Sequence, residues 1–176
     1  MERNMNQKTL QKLEFHKIID LLTANASSER GKLLCRTLKP MTELGPIETA
    51  QEQTAAAFTR IVQNGHLSFS DVLPTEASLK RLEIGASLSA EELLRIAGTL
   101  RTAARAVSYG HRDTTEEEAD CLDSYFQQLE PVPVLYTEID QCILSAEEIS
   151  DDASAELKRI RRAIAAMNGR IHTTLN

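Results

Sequence analysis

Reactive residue types occur along the chain, but their spacing is wrong for most chemistry. Four histidines (His16, His66, His111, His172) and three cysteines (Cys35, Cys121, Cys142) lie on separate stretches of the 176 residues. A metal centre needs close ligand pairs such as Cys-x-x-Cys or His-Glu-x-x-His, and neither motif is present. An odd number of unpaired cysteines reads as free thiols in a reducing compartment rather than a disulfide frame. His111-Arg112-Asp113 spells part of a protein-kinase catalytic loop. The glycine-rich loop, the strand-borne lysine and Asp-Phe-Gly that such chemistry needs are missing, so we read a coincidence in a loop. No P-loop cradles a phosphate, and no Gly-x-Ser-x-Gly presents a nucleophile. No carboxylate stands alone within an apolar run, where burial would raise its pKa. The chain therefore offers no catalytic residue, no cofactor-binding residue and no metal ligand.

One chemistry remains, the binding of phosphate by fixed positive charge. From Asp113 to Glu156 there are fourteen acidic residues and no Lys or Arg; from Leu157 onward there are five basic residues and no acid. Those five, Lys158, Arg159, Arg161, Arg162 and Arg170, are candidate contacts to a nucleic-acid backbone. No aromatic residue interleaves with them to stack on a base. Two blander readings stand beside this one: an ordinary solvated face, or ion pairs between these residues and the preceding acidic span.

These residues ride on an apolar repeat. Leu157, Ile160, Ile164, Met167, Ile171 and Leu175 step by 3, 4, 3, 4 and 4, close to a coiled-coil seam. Ser154 can cap the helix. Lys158, Arg159, Arg162 and Arg170 lie opposite the seam, with Arg161 on its shoulder. The seam is still running at the last residue, so we expect the native chain to continue and this to be an N-terminal portion of it.

The most completely specified element is Leu88–Gly110. Ser89 and Glu92 form a capping box. Leu93, Ile96, Ala97, Leu100, Ala103, Ala104 and Val107 follow on one helical stripe, with Arg95, Arg101 and Arg105 on the other side. Gly110 suits a left-handed C′ position. Around this rod we expect a short helical turn before Phe15, then a helix carrying Ile18, Ile19 and Leu22. Ser27 or Ser28 caps the next, with Leu33, Leu34 and Leu38 inward. Another starts at Pro46, keeps Ile47, Ala50, Thr54, Ala57, Phe58 and Ile61 at helical spacing, and ends at Gly65. A short helix with Leu79 and Leu82 closes at Gly85. Thr115 and Glu118 form a second capping box before Ala119, Leu122, Phe126 and Leu129. Pro133 opens a helix carrying Leu135, Ile139 and Ile143, and 145–153 is an acidic loop or small excursion.

Composition agrees with helix. Apolar residues make up 41% of the chain and aromatics 4%, with no Trp, so any core must be aliphatic. No apolar run reaches the length of a membrane span, and the first residues lack a secretory apolar core. The reading is an all-α chain, an irregular bundle of about seven helices whose last helix begins a coiled-coil arm. Residues 1–152 form the helical body, and 153–176 begin a truncated clamp helix.

Three segments together carry a resemblance: KTLQKLEFHKIIDLLTANASSERGKLL (8–34), LKRLEIGASLSAEELLRIAGTLRTAAR (79–105) and DDASAELKRIRRAI (151–164). In order and spacing they resemble the N-terminal core, or lever, region of MutS-two, the bacterial MutS paralogue with a C-terminal Smr nuclease domain. Leu82, where that family leads us to expect alanine, and the acidic 113–156 span are departures. The resemblance implies a dimeric, cytoplasmic parent that uses ATP and magnesium at sites lying beyond residue 176. It further implies a parent that acts on branched DNA to suppress homologous recombination, and on collided ribosomes, hence ribosomal RNA. The portion here would be non-catalytic, coupling nucleotide state to nucleic-acid grip. The alternative from another class is a free-standing helical module for protein–protein interaction or dimerisation.

Overall fold

A computed structural model describes residues 7–111 and 119–175, the side chains of 172–175 excepted. Among the described residues the regular elements are all helices and there is no strand, as expected of an all-α chain. The helices are α1 (Gln7–Lys12), α2 (Phe15–Asn25), α3 (Glu29–Thr37), α4 (Leu44–Asn64), α5 (Glu76–Glu83), α6 (Ala90–Gly110), α7 (Asp123–Gln127), α8 (Pro133–Cys142) and α9 (Ala155–Leu175). One 3₁₀ turn, Asp151–Ala153, precedes α9, and one isolated antiparallel bridge joins Ile143 to Ile149. Contacts divide the chain into two units, Met1–Pro74 with Arg101–Pro131 and Thr75–Leu100 with Val132–Asn176. Helix α6 thus gives its second half to the first unit and its first half to the second. The body–arm boundary read at residues 152/153 falls inside the second unit.

In the first unit, Glu14 adopts a left-handed φ of 56° between α1 and α2, and Lys17 pairs with its carboxylate at 2.6 Å. Ser28 Oγ accepts from the Gly31 N–H at 3.0 Å, which fixes the start of α3. Leu44, not Pro46, opens α4. Pro46 is third in the helix, where the first turn has no intrahelical partner for a backbone N–H, so its missing donor costs nothing. Gly65, with φ of 78°, ends α4, and Tyr109 Oη donates to its carbonyl at 3.0 Å.

The inward residue of α4 is unexpected. Arg60 is 1% exposed, whereas the apolar Phe58 and Ile61 of the helical repeat are exposed. Arg60 Nε and Nη2 donate to the two oxygens of Asp120 at 2.8 and 2.6 Å, and Nη2 also reaches Asp123 Oδ1 at 2.5 Å. Its guanidinium carbon stands 4.9 Å from the Phe126 ring centroid. Asp123 Oδ2 in turn accepts from the Asp120 N–H at 3.0 Å. The Leu122 N–H donates to Asp120 Oδ1 at 2.8 Å, an Asx-type turn, and these local bonds accompany the non-helical Ala119 and Asp120 and a helix α7 confined to Asp123–Gln127. The second predicted capping box, Thr115 with Glu118, lies outside the described residues.

Gly110 is not a left-handed cap. It is the last residue of α6, and the glycines with positive φ are Gly65 and Gly85. A β-carbon at Gly110 would overlap Cβ and Cγ of Phe126, so glycine is needed here for close approach.

In the second unit the capping box forms as read. The Ser89 N–H donates to Glu92 Oε2 at 2.9 Å, and the Glu92 N–H donates to Ser89 Oγ at 3.3 Å. Glu92 also accepts from Ser78 Oγ and from Arg81 Nη1, both at 2.9 Å, so the same carboxylate ties α5 to the start of α6. The core of this unit is Ala97, Ile139 and Ile143, flanked by Leu93, Leu94, Tyr136 and Cys142. Along α6, Ala97, Gly98, Thr102 and Ala106 are buried, and most of the remaining predicted stripe is half-buried. Small residues mark the closest approaches to the rod, and the larger ones fill the space beside them. Leu33, Leu34 and Leu38, expected inward, are exposed, as are Leu79, Leu82 and Leu135.

Candidate nucleic-acid interface

Helix α9 begins at a built turn. The Ser150 N–H donates to the Cys142 carbonyl at 2.8 Å, while Ser150 Oγ accepts from the Asp152 N–H at 3.2 Å. The bridge from Ile143 to Ile149 holds the same loop against the end of α8. Ser154 Oγ then accepts from the Leu157 N–H at 3.0 Å, the cap that the sequence indicated.

Three of the five candidate basic residues are engaged at this turn. Lys158 Nζ pairs with Asp152. Arg161 Nη1 pairs with Asp151 and donates to the Ile149 carbonyl at 2.8 Å. Arg159 holds Glu156 with two hydrogen bonds, Nε at 3.0 Å and Nη2 at 2.7 Å. Lys158 lies beside Asp152 and keeps its carboxyl below the usual range, with a smaller contribution from Arg162. The Arg159 hydrogen bond does the same for Glu156. All these side chains remain substantially solvated, and water and salt screen exposed pairs of this kind, so each is individually weak. Arg162 and Arg170 are exposed further along α9.

The apolar repeat runs along the other side of α9. Leu157 is half-buried, whereas Ile160, Ile164, Met167 and Ile171 are exposed. From Arg162 to Ile171 every side chain is exposed.

The remaining reactive groups do not converge. Among the described residues no group of three or more His, Cys, Asp or Glu is placed to hold a metal. His16 lines a shallow groove with Phe15, Ile19, Asp20 and Arg36, and His66 and His111 are exposed. Burial, with Glu52 and Asp120 nearby, pushes the Cys121 thiol above its ordinary pKa, which makes it less reactive. The Arg60–Asp120–Asp123 cluster is what sequence reasoning missed. The available signal was a lone arginine inside the apolar run Ala55–Val62, followed much later by two aspartates three residues apart.

No family model matches the chain. Its sequence is nevertheless similar to several curated proteins, each called Endonuclease MutS2. The protein from Lachnoclostridium phytofermentans is 44% identical over 176 residues, covering 97% of this chain and 22% of that protein. The Agathobacter rectalis protein is 43% identical over 171 residues, with the same two shares, and that of Clostridioides difficile is 36% identical over 98% of this chain and 22% of its own length. An all-α chain with this similarity along nearly its whole length is of MutS type. Within that type it is MutS2-like, as the three segments indicated, and it spans about a fifth of the length of the curated relatives it matches. No described helix is long and apolar enough to cross a membrane.

Proposed function

We propose that the chain is the lever region of a MutS2-type ATPase and endonuclease, non-catalytic by itself, which couples nucleotide state to nucleic-acid grip. Its parent is a homodimer that binds ATP and magnesium elsewhere in its length. The parent acts on branched DNA to restrain recombination and on stalled ribosomes through their RNA. The single observation that carries the reading is α9, a helix with an apolar seam on one side, Lys158, Arg159, Arg162 and Arg170 on the other, and exposed side chains from Arg162 to Ile171. In this reading the seam meets a partner helix to make a coiled-coil arm, and the basic side faces phosphates.

Each phosphate contact releases a counterion and contributes nearly one unit to the salt slope of binding. Replacing Arg159 and Arg162 together by Ala should weaken binding about equally for unrelated duplex sequences and flatten that slope by up to about two units. An unchanged affinity and slope, with binding present, would remove the basic side from the interface.

The second reading, a protein–protein interaction module, draws support from the exposed apolar residues of α2–α4, among them Leu21, Leu34, Phe58 and Val62. The coding sequence downstream of Asn176 separates the two. A P-loop and an Smr domain there support the first reading, and an immediate stop supports the second.

A further inference from the structure

The turn before α9 offers its basic residues carboxylates in place of phosphates. Asp151 and Asp152 are not on a loose tail. The Ser150 hydrogen bonds and the Ile143–Ile149 bridge hold their backbone, and their side chains meet Arg161 and Lys158 across six to ten residues of sequence. Glu156 meets the Arg159 guanidinium through two parallel hydrogen bonds, the fork geometry that arginine also uses on a phosphodiester. Lys158, Arg159, Arg161 and Arg162 bring four positive charges to this end of α9, and the three carboxylates cancel three of them. A nucleic-acid backbone that takes the same donors of Lys158, Arg159 and Arg161 must displace the groups already seated on them.

We propose that the Asp151–Ala153 turn, with Glu156, is an intramolecular competitor of the nucleic-acid backbone, keeping the basic end of α9 self-paired until a polyanion displaces it. This inference rests on the nucleic-acid reading above. The occupied state is individually weak at each pair, so displacement is reversible and responds to salt and to phosphate density. A densely charged duplex, which presents many phosphates at once, displaces the turn; an isolated phosphate does not.

The test measures Kd by fluorescence anisotropy for the 176-residue chain, with short duplex DNA and short duplex RNA as separate probes, at several salt concentrations. Asn for Asp at 151 and 152 keeps the size of each side chain and one acceptor oxygen while removing the charge, and circular dichroism checks that helix content is unchanged. Asp151→Asn with Asp152→Asn should tighten binding about three- to twentyfold, since each exposed pair is worth no more than about fivefold. Glu138→Gln with Glu147→Gln makes the same change of net charge at exposed carboxylates of the same unit, and should tighten binding much less. Adding Lys158→Ala and Arg161→Ala to the Asp151/Asp152 variant should erase the gain.

Equal tightening by the two neutralised pairs would mean a general charge effect and overturn the inference. So would a gain that survives loss of Lys158 and Arg161. If the Asp variants bind no tighter while Arg159→Ala with Arg162→Ala still weakens binding, the competitor is refuted and the nucleic-acid reading stands. If no basic substitution in any background changes affinity, both fall. Tightening seen with one probe alone identifies the nucleic acid that competes.

Discussion

Arg60 shows how one residue can organise its surroundings against the local pattern. An arginine fully withdrawn from water is costly unless its donors are met, and here two carboxylates and an aromatic face meet most of them. The carboxylates hold the guanidinium charged well above even its ordinary range. Its Nη1 has no hydrogen-bond partner, so the cluster is incompletely satisfied. Truncating Arg60 would leave Asp120 and Asp123 facing each other near a partly buried site. Removal of one partner from a buried pair costs about 3–5 kcal/mol, and because both aspartates keep some exposure we expect the lower part of that range for Arg60→Ala. Lysine supplies a point charge without the fork, so Arg60→Lys should recover less than half of the loss. Urea unfolding of the three proteins checks this. Full recovery by lysine would show that charge alone matters there. The arginine was visible in the sequence, but its burial was not. Phe58 and Ile61 carry the apolar repeat of α4, and nothing local announced that the helix would turn its charged residue toward the 120–123 segment.

At the scale of elements, starts and stops were the legible part. The caps at Ser28, Ser89 and Ser154, the left-handed ends at Gly65 and Gly85 and the proline start of α8 all occur where side-chain chemistry within a few residues decides them. Inward faces were less legible, because which side of a helix is covered depends on partners distant in sequence. Thr102 and Ala106 are buried, yet neither belonged to the predicted stripe. The cap at Ser89 yields a pH prediction. The Ser89 N–H, then the Ser78 hydroxyl and Arg81, hold the Glu92 carboxyl below its ordinary range. A carboxyl whose folded pKa is depressed stabilises the fold at pH values above its unfolded pKa, roughly 4.3, and that contribution is lost as pH falls through the folded value. The acid destabilisation of wild type between about pH 5 and pH 3 should therefore be steeper than that of Glu92→Gln. Parallel pH profiles of the urea midpoint for the two proteins would show that Glu92 is not the group responsible.

For the molecule as a whole, burial and helix content are out of proportion. The buried apolar residues among those described are Ala97, Ala106, Ile139 and Ile143, while Leu, Ile, Phe and Met side chains from α2 to α9 remain exposed. Such surfaces are ordinary for a chain whose curated relatives are several times longer, and they go with the failed inward assignments of Leu33, Leu34 and Leu38. The periodicity of those residues was read correctly as helix. What it could not give was the identity of the covering surface, because a stripe records that a face is apolar and not what lies against it. The seam of α9 is the sharpest case, since its exposure decides how substitutions should behave. An exposed apolar residue gains little from folding, so changing it leaves stability within about 0.5 kcal/mol. Ile164→Lys with Met167→Lys should accordingly leave the urea midpoint of the chain almost unmoved, whereas Ile139→Ala in the core of the second unit should cost about 2–4 kcal/mol. The same pair of lysines would put two charges into the seam of any coiled coil that α9 joins, where apolar residues are required. The double substitution should therefore abolish arm formation in a longer protein while sparing the fold of this chain. If instead it destabilises the isolated chain as much as Ile139→Ala does, the seam is covered in solution and is not the face that α9 offers to a partner.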